Sequence, residues 1–98
     1  MVSERDYPTE AELQTIRDWP LTDPRGLMAF VKSIWWSSDW GWAEKGERYF
    51  ISTGGWSGNE EIISVLMEKS IFWSMYWTGS HRGGHYEFEI PIHEDEAP

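Results

Sequence analysis

A chain of 98 residues is long enough for one domain with one hydrophobic core and too short for two. Its hydrophobic content of 40% and aromatic content of 16% exclude a disordered chain, and its net charge of −9 argues against binding to a nucleic-acid backbone. The chain has no cysteine, which excludes disulfides, thiolate metal sites and thiol nucleophiles.

Much of the acidic excess lies at the two ends of the chain. We expect residues 1–8 and 93–98 to be frayed, solvated termini of a single domain that spans residues 1–98. The first residues lack the apolar stretch of a secretory signal, and no apolar run approaches the length that spans a membrane. These features predict a cytoplasmic protein that does not bind a membrane.

Two helices are predicted in the first third of the chain. Thr9 and Glu12 have the spacing of a capping box, and the first helix ends before Pro20. Asp23 and Pro24 are typical of an N-cap and a first helical position. The second helix has apolar residues at helical spacing, which predict a buried face: Leu27, Phe30, Val31, Ile34 and Trp35.

A hairpin and a third helix are predicted next. Trp40 and Trp42 alternate with smaller residues as in a strand, and residues 48–52 return as the partner strand. A loop over residues 53–58 then leads to a third helix, which we expect to begin near Asn59.

The last part of the chain predicts a second hairpin. The aromatic stretch 71–78 favours a strand over a continued helix, and residues 79–84 form a turn. In the strand 85–90 the inward residues are Tyr86, Phe88 and Ile90. The predicted fold is α+β, in the order α-α-β-β-α-β-β, with two hairpins in one antiparallel four-stranded sheet and the helices packed on one face.

The segment 52–59, Ser-Thr-Gly-Gly-Trp-Ser-Gly-Asn, is the most informative candidate site. Glycines between a strand and a helix resemble an anion-binding arrangement of backbone N–H groups and helix dipole. No Lys-Ser or Lys-Thr pair follows, which excludes a P-loop, and Glu60 and Glu61 would repel a phosphate. In the alternative interpretation, the glycines adopt positive φ and Asn59 caps the helix.

Catalytic and metal motifs are incomplete. Residues 55–59 fall one glycine short of a nucleophile elbow, and the chain has no room for the sheet that such an elbow needs. His81 and His85 flank a turn, and no motif fixes a third zinc ligand. Glu87 and Glu89 share a strand face, for which solvation is a better explanation than a glycosidase pair. We therefore expect no enzyme activity, no metal and no cofactor.

The 8 tryptophans exceed what a small core needs. Trp35 continues a helical stripe and is expected in the core. Trp40 with Trp42, and Trp73 with Trp77, are each predicted to share one strand face. Two interpretations stay open for these pairs: a platform that stacks a base, a sugar or a partner's side chain, or a core built from tryptophan.

Several segments together resemble one group of proteins. The run from Ser52 to Ile63, the segment 82–88 (Arg-Gly-Gly-His-Tyr-Glu-Phe) and the upstream tryptophan pairs resemble small tryptophan-rich proteins of unknown function from bacteriophages and prophages. The resemblance covers about residues 35 to 90 and brings no activity and no catalytic residue. It implies an accessory protein in the cytoplasm of an infected bacterium, where such proteins commonly bind a host factor.

We therefore expect a non-enzymatic accessory protein that binds a host protein through exposed aromatic rings and an acidic surface. The alternative is a binder of a nucleotide or another small anion, which would use the glycine loop 54–58 with Arg82 and His85. A homodimer through a sheet edge or aromatic patch is left open, and a nucleic-acid mimic ranks lower because the carboxylates lack phosphate-like spacing. The candidate binding residues are Trp40, Trp42, Thr53, Gly54, Gly55, Trp56, Ser57, Trp77, Arg82 and His85.

Overall fold

The computed structural model describes residues 7–92, which form five helices and four strands. The elements in chain order are α1 Glu10–Asp18, α2 Pro24–Ile34, α3 Ser38–Gly41, β1 Trp42–Lys45, β2 Arg48–Ser52, α4 Ser57–Glu68, α5 Ser70–Tyr76, β3 Trp77–His81 and β4 His85–Glu89. The predicted α+β class is confirmed. The termini predicted to be frayed lie outside the described residues, except for residues 7 and 8.

The first two helices begin where the capping residues predict. The Thr9 N–H donates to Glu12 Oε1 at 2.9 Å, and the Glu12 N–H donates to Thr9 Oγ1 at 3.1 Å, so both halves of the capping box are formed. At the start of α2, Asp23 Oδ1 accepts from the Gly26 N–H at 3.1 Å. These bonds satisfy N–H groups that have no partner inside the helix.

The strand predicted around Trp40 is wrong by two residues, because the chain makes one more helical turn. The Trp40 and Gly41 N–H groups both donate to the Ser37 carbonyl, at 2.9 and 2.8 Å, and β1 begins only at Trp42. A Cβ at Gly41 would lie 2.6 Å from the Ser52 carbonyl oxygen, so the approach of α3 to β2 requires glycine. Trp40 and Trp42 therefore do not share a strand face.

The strand predicted over residues 71–78 is also largely wrong, because residues 70–76 form α5. Lys69 separates α4 from α5 with φ −82° and ψ 74°, and its carbonyl accepts from the Trp73 N–H at 2.9 Å. Phe72 and Tyr76, four residues apart, are both buried. Burial of this helical face outweighs the β propensity of the aromatic residues, and β3 begins only at Trp77.

The four strands form one antiparallel sheet in the order β1-β2-β4-β3. The two predicted hairpins are confirmed, and β2 pairs with β4 to join them, with Tyr49 opposite Phe88 and Ser52 opposite His85. Phe88 and Ile90 are buried and Tyr86 is half-buried, as the alternation predicts. The helices pack on this buried face. The described residues contain no helix long and apolar enough to cross a membrane.

Aromatic rings form part of the hydrophobic core. Trp35 is buried, as predicted, and its ring meets Trp42 edge to face at 5.5 Å between centroids. The Trp35 indole N–H donates to the Ser52 carbonyl at 3.2 Å, and that of Trp42 donates to the Glu44 carboxylate at 2.9 Å. Because both N–H groups have partners, these large rings can be buried without leaving a polar group unsatisfied.

Candidate functional site

The two glycine-containing loops meet at Thr53. This residue is only 1% exposed, and its N–H donates to the Gly84 carbonyl at 2.9 Å. A Cβ at Gly84 would overlap the Thr53 hydroxyl, and Gly84 has φ +79°, so this contact requires glycine for two reasons. Next to it, Ser52 Oγ and His85 Nδ1 are 2.6 Å apart. The loop after β2 and the β3–β4 turn are therefore one connected structure.

The loop after β2 uses its own N–H groups internally. The Gly55 N–H donates to Thr53 Oγ1 at 3.2 Å, and the Trp56 N–H donates to the Thr53 carbonyl at 3.0 Å. The Thr53 hydroxyl in turn donates to Glu60 Oε2 at 3.4 Å. Two donors that an anion would need are thus already bonded, and a carboxylate lies beside them. The small-anion interpretation stays a prediction that these contacts disfavour.

Gly54 and Gly55 adopt positive φ, +65° and +75°, as the alternative interpretation predicts, but Asn59 does not cap the helix, so that part of the interpretation is wrong. Helix α4 begins at Ser57, with Trp56 at the N-cap position, and Asn59 is 2% exposed. The Asn59 Oδ1 accepts from the Trp36 N–H at 3.0 Å, and Nδ2 donates to the Trp36 carbonyl at 3.1 Å. Asn59 therefore holds the chain at Trp36 against the start of α4.

Trp40 lies beside the glycine loop, Trp56 follows it in the chain, and Trp36 stacks on Trp56. We call Trp36, Trp40 and Trp56 the tryptophan surface. The Trp36 and Trp56 rings stack with 4.1 Å between centroids and 9° between planes. Trp40 is 66% exposed, and its Cζ3 would lie 3.1 Å from a Cβ at Gly54, so the ring lies beside this glycine. Trp36 is 36% exposed. The surface therefore combines a fixed ring pair with one ring that is mostly open to solvent.

Trp36 was not among the residues predicted from the sequence. The only signal was its place directly after Trp35, where the apolar stripe of α2 ends. When one of two adjacent aromatic residues enters the core, its neighbour is directed elsewhere. The sequence contains no sign that Asn59 and Trp56 would hold Trp36 in place, because those contacts depend on the tertiary fold.

The other predicted tryptophans lie elsewhere. Trp42 is buried in the core at 8% exposure, so its place in a binding surface is a correction to the sequence-based expectation. Trp77 lies on β3, the sheet edge opposite β1, and its ring stacks on Trp73 at 5.8 Å. This pair stacks at helical spacing rather than along a strand, since Trp73 belongs to α5. The Trp77 indole N–H donates to Ser80 Oγ at 3.0 Å.

Polar side chains occupy the outer face of the sheet near the β3–β4 turn. His81 Nε2 and Glu87 Oε2 are 2.9 Å apart, His85 bonds Ser52 as described, and Arg82 is exposed in the turn itself. Between residues 7 and 92, no group of three or more acidic or histidine side chains is placed to hold a metal ion. The remaining predicted residue, Ser57, begins α4 with its hydroxyl 3.4 Å from that of Tyr7.

No family model matches the chain, and no curated protein or solved structure matches it either. The functional proposals therefore depend on the tryptophan surface and on the charges around it.

Proposed function

We propose that this protein is a non-enzymatic binding domain that docks a partner protein on the tryptophan surface. The observation that carries the proposal is Trp40, whose ring is 66% exposed and lies beside Gly54, two residues before the Trp56 that stacks on Trp36. Covering the exposed part of a ring of this size stabilises a complex by about 2–4 kcal/mol. Tryptophan is also the residue type most enriched at the energetic centres of protein interfaces.

The framework under the tryptophan surface supports the same proposal. Asn59 fixes the backbone of Trp36 through two hydrogen bonds, and Thr53 joins the glycine loop to the β3–β4 turn. A surface whose residues are already held in place loses less conformational entropy when a partner binds. More of the gain from covering the rings therefore remains as affinity.

Binding is favoured over catalysis because the sequence completes no catalytic motif at Ser57, His81 or His85. The resemblance of residues 35–90 to phage and prophage proteins makes a bacterial host protein in the cytoplasm the expected partner. The small-anion alternative would use the same loop, where the N–H groups of Gly55 and Trp56 already donate to Thr53.

The test compares the tagged wild-type protein with Trp40→Ala in a pull-down from bacterial lysate. Met75→Ala is the matched control, because Met75 is 63% exposed and lies on α5. We expect the wild type and Met75→Ala to recover the same partner, and Trp40→Ala to lose it while its circular dichroism spectrum stays native. The recovered protein is then purified and its affinity for each variant measured by calorimetry. A partner retained at full affinity by Trp40→Ala would contradict the proposal.

A further inference from the structure

All the charged residues in the segments that form the tryptophan surface are acidic. The segments that form it, residues 36–41 and 53–61, contain no lysine or arginine. They carry three exposed acidic side chains: Asp39, Glu60 and Glu61. Asp39 directly precedes Trp40, and Glu60 accepts a hydrogen bond from the threonine of the glycine loop at 3.4 Å. Since the whole chain also carries a net charge of −9, this surface attracts cations.

The Trp40 ring has the chemistry to receive a cation. Its edge lies beside Gly54, and 66% of the residue is exposed to solvent. The face of an indole ring is electron-rich and attracts a guanidinium or an ammonium group. A guanidinium also stacks flat on the ring while its N–H groups pair with a carboxylate, which an ammonium does less well. Asp39, next to Trp40 in the chain, and Glu60, bonded to Thr53, are exposed carboxylates with which such N–H groups can pair.

We infer that the docking segment of the partner protein is basic, with an arginine whose guanidinium lies over the Trp40 ring and pairs with Asp39 or Glu60. This inference rests on the proposed function and specifies the chemistry of its partner. Arg82 lies in the neighbouring β3–β4 turn, two residues before the Gly84 that contacts Thr53. It would repel a basic segment and attract a small anion, so its removal separates the two kinds of ligand.

The test uses a short peptide of alternating glycine and arginine, and the same peptide with neutral citrulline in place of arginine. Calorimetry should show that the citrulline peptide binds at least about tenfold more weakly than the arginine peptide, and that added salt lowers the affinity of the arginine peptide. Trp40→Ala should also lower the affinity for the arginine peptide about tenfold. Asp39→Asn combined with Glu60→Gln should lower this affinity several-fold. Met75→Ala should change nothing, and Arg82→Ala should tighten binding.

Three outcomes would overturn the inference: no binding of the arginine peptide, equal binding of the two peptides, or weaker binding after Arg82→Ala. The pull-down partner distinguishes this failure from failure of the proposed function. If that partner is lost in Trp40→Ala but is insensitive to salt and to Asp39→Asn with Glu60→Gln, the protein is a binding domain whose partner is not basic. If Trp40→Ala keeps the partner, the proposed function itself fails.

Discussion

Replacement of Gly84 by alanine tests whether the two loops meet at Thr53. At φ +79°, the left-handed backbone conformation costs an alanine about 1–2 kcal/mol. Its Cβ would also overlap the Thr53 hydroxyl, and forced overlap in a packed site costs a further 1–3 kcal/mol or so. We therefore expect Gly84→Ala to lower the free energy of unfolding by about 2–5 kcal/mol.

Gly55→Ala is the matched control in the same structure. Gly55 has φ +75°, but a Cβ there would meet nothing within 4 Å. The control should therefore lose only the backbone contribution of about 1–2 kcal/mol. Urea unfolding followed by tryptophan fluorescence measures both losses of free energy. In thermal unfolding, each kcal/mol lost should lower the melting temperature by about 4–8 °C. Equal losses for the two variants would refute the contact between Gly84 and Thr53.

Three further changes test other parts of the structure. Burial raises the pKa of Tyr49 above its ordinary value of 10.0, so the unfolded chain ionises first and stability falls as pH rises from about 10 through the folded-state pKa. Tyr49→Phe should remove this part of the stability loss at alkaline pH, measured by urea unfolding, and an unchanged pH profile would contradict the prediction. Asn59→Ala should lower the free energy of unfolding by about 1–3 kcal/mol and weaken the near-ultraviolet circular dichroism of the stacked rings, since the Trp36 backbone loses both hydrogen-bond partners. A native spectrum would argue against the role of Asn59 in holding Trp36. Thr9→Ala should cost about 1 kcal/mol in the same unfolding assay, and no loss would mean that the capping box does not hold α1.

The parts of the fold set by local rules could be predicted from the sequence. The capping box of Thr9 and Glu12 depends on spacing within one helical turn, and the cap at Asp23 depends on the next three residues. The strand 85–90 was predictable because its alternation matches the two faces of a sheet, one of them buried. The fold class followed from the order of such elements.

The errors fall where tertiary contacts override local preference. The aromatic residues 71–76 have strand propensity, but burial of Phe72 and Tyr76 on one side holds them in a helix. Trp40 alternates with its neighbours as a strand residue does, yet the close approach of Gly41 to Ser52 needs a helical turn at this point. The residues that bury Phe72 and Tyr76, and the Ser52 that Gly41 approaches, are distant in the sequence, so no local pattern could reveal these contacts.

The candidate site was predicted in part. The glycine loop was found from its place between a predicted strand and a predicted helix, and Trp40 from its alternation with smaller residues in a chain with surplus tryptophan. Trp36 was missed, and Asn59 was given the wrong role, because its side chain spans 23 residues to bond the Trp36 backbone. Contacts of that sequence separation follow from the fold rather than from a motif.

The most direct measurement of the central claim is an NMR titration of the indole N–H signals with the protein that the wild type recovers. Each of the eight tryptophans gives one indole N–H signal, so every ring can be followed. We expect the signals of Trp36, Trp40 and Trp56 to shift together, while those of the buried Trp35 and Trp42 stay in place. Shifts confined to Trp73 and Trp77, with the tryptophan surface unchanged, would place the interface at the β3 edge of the sheet and contradict the proposed function.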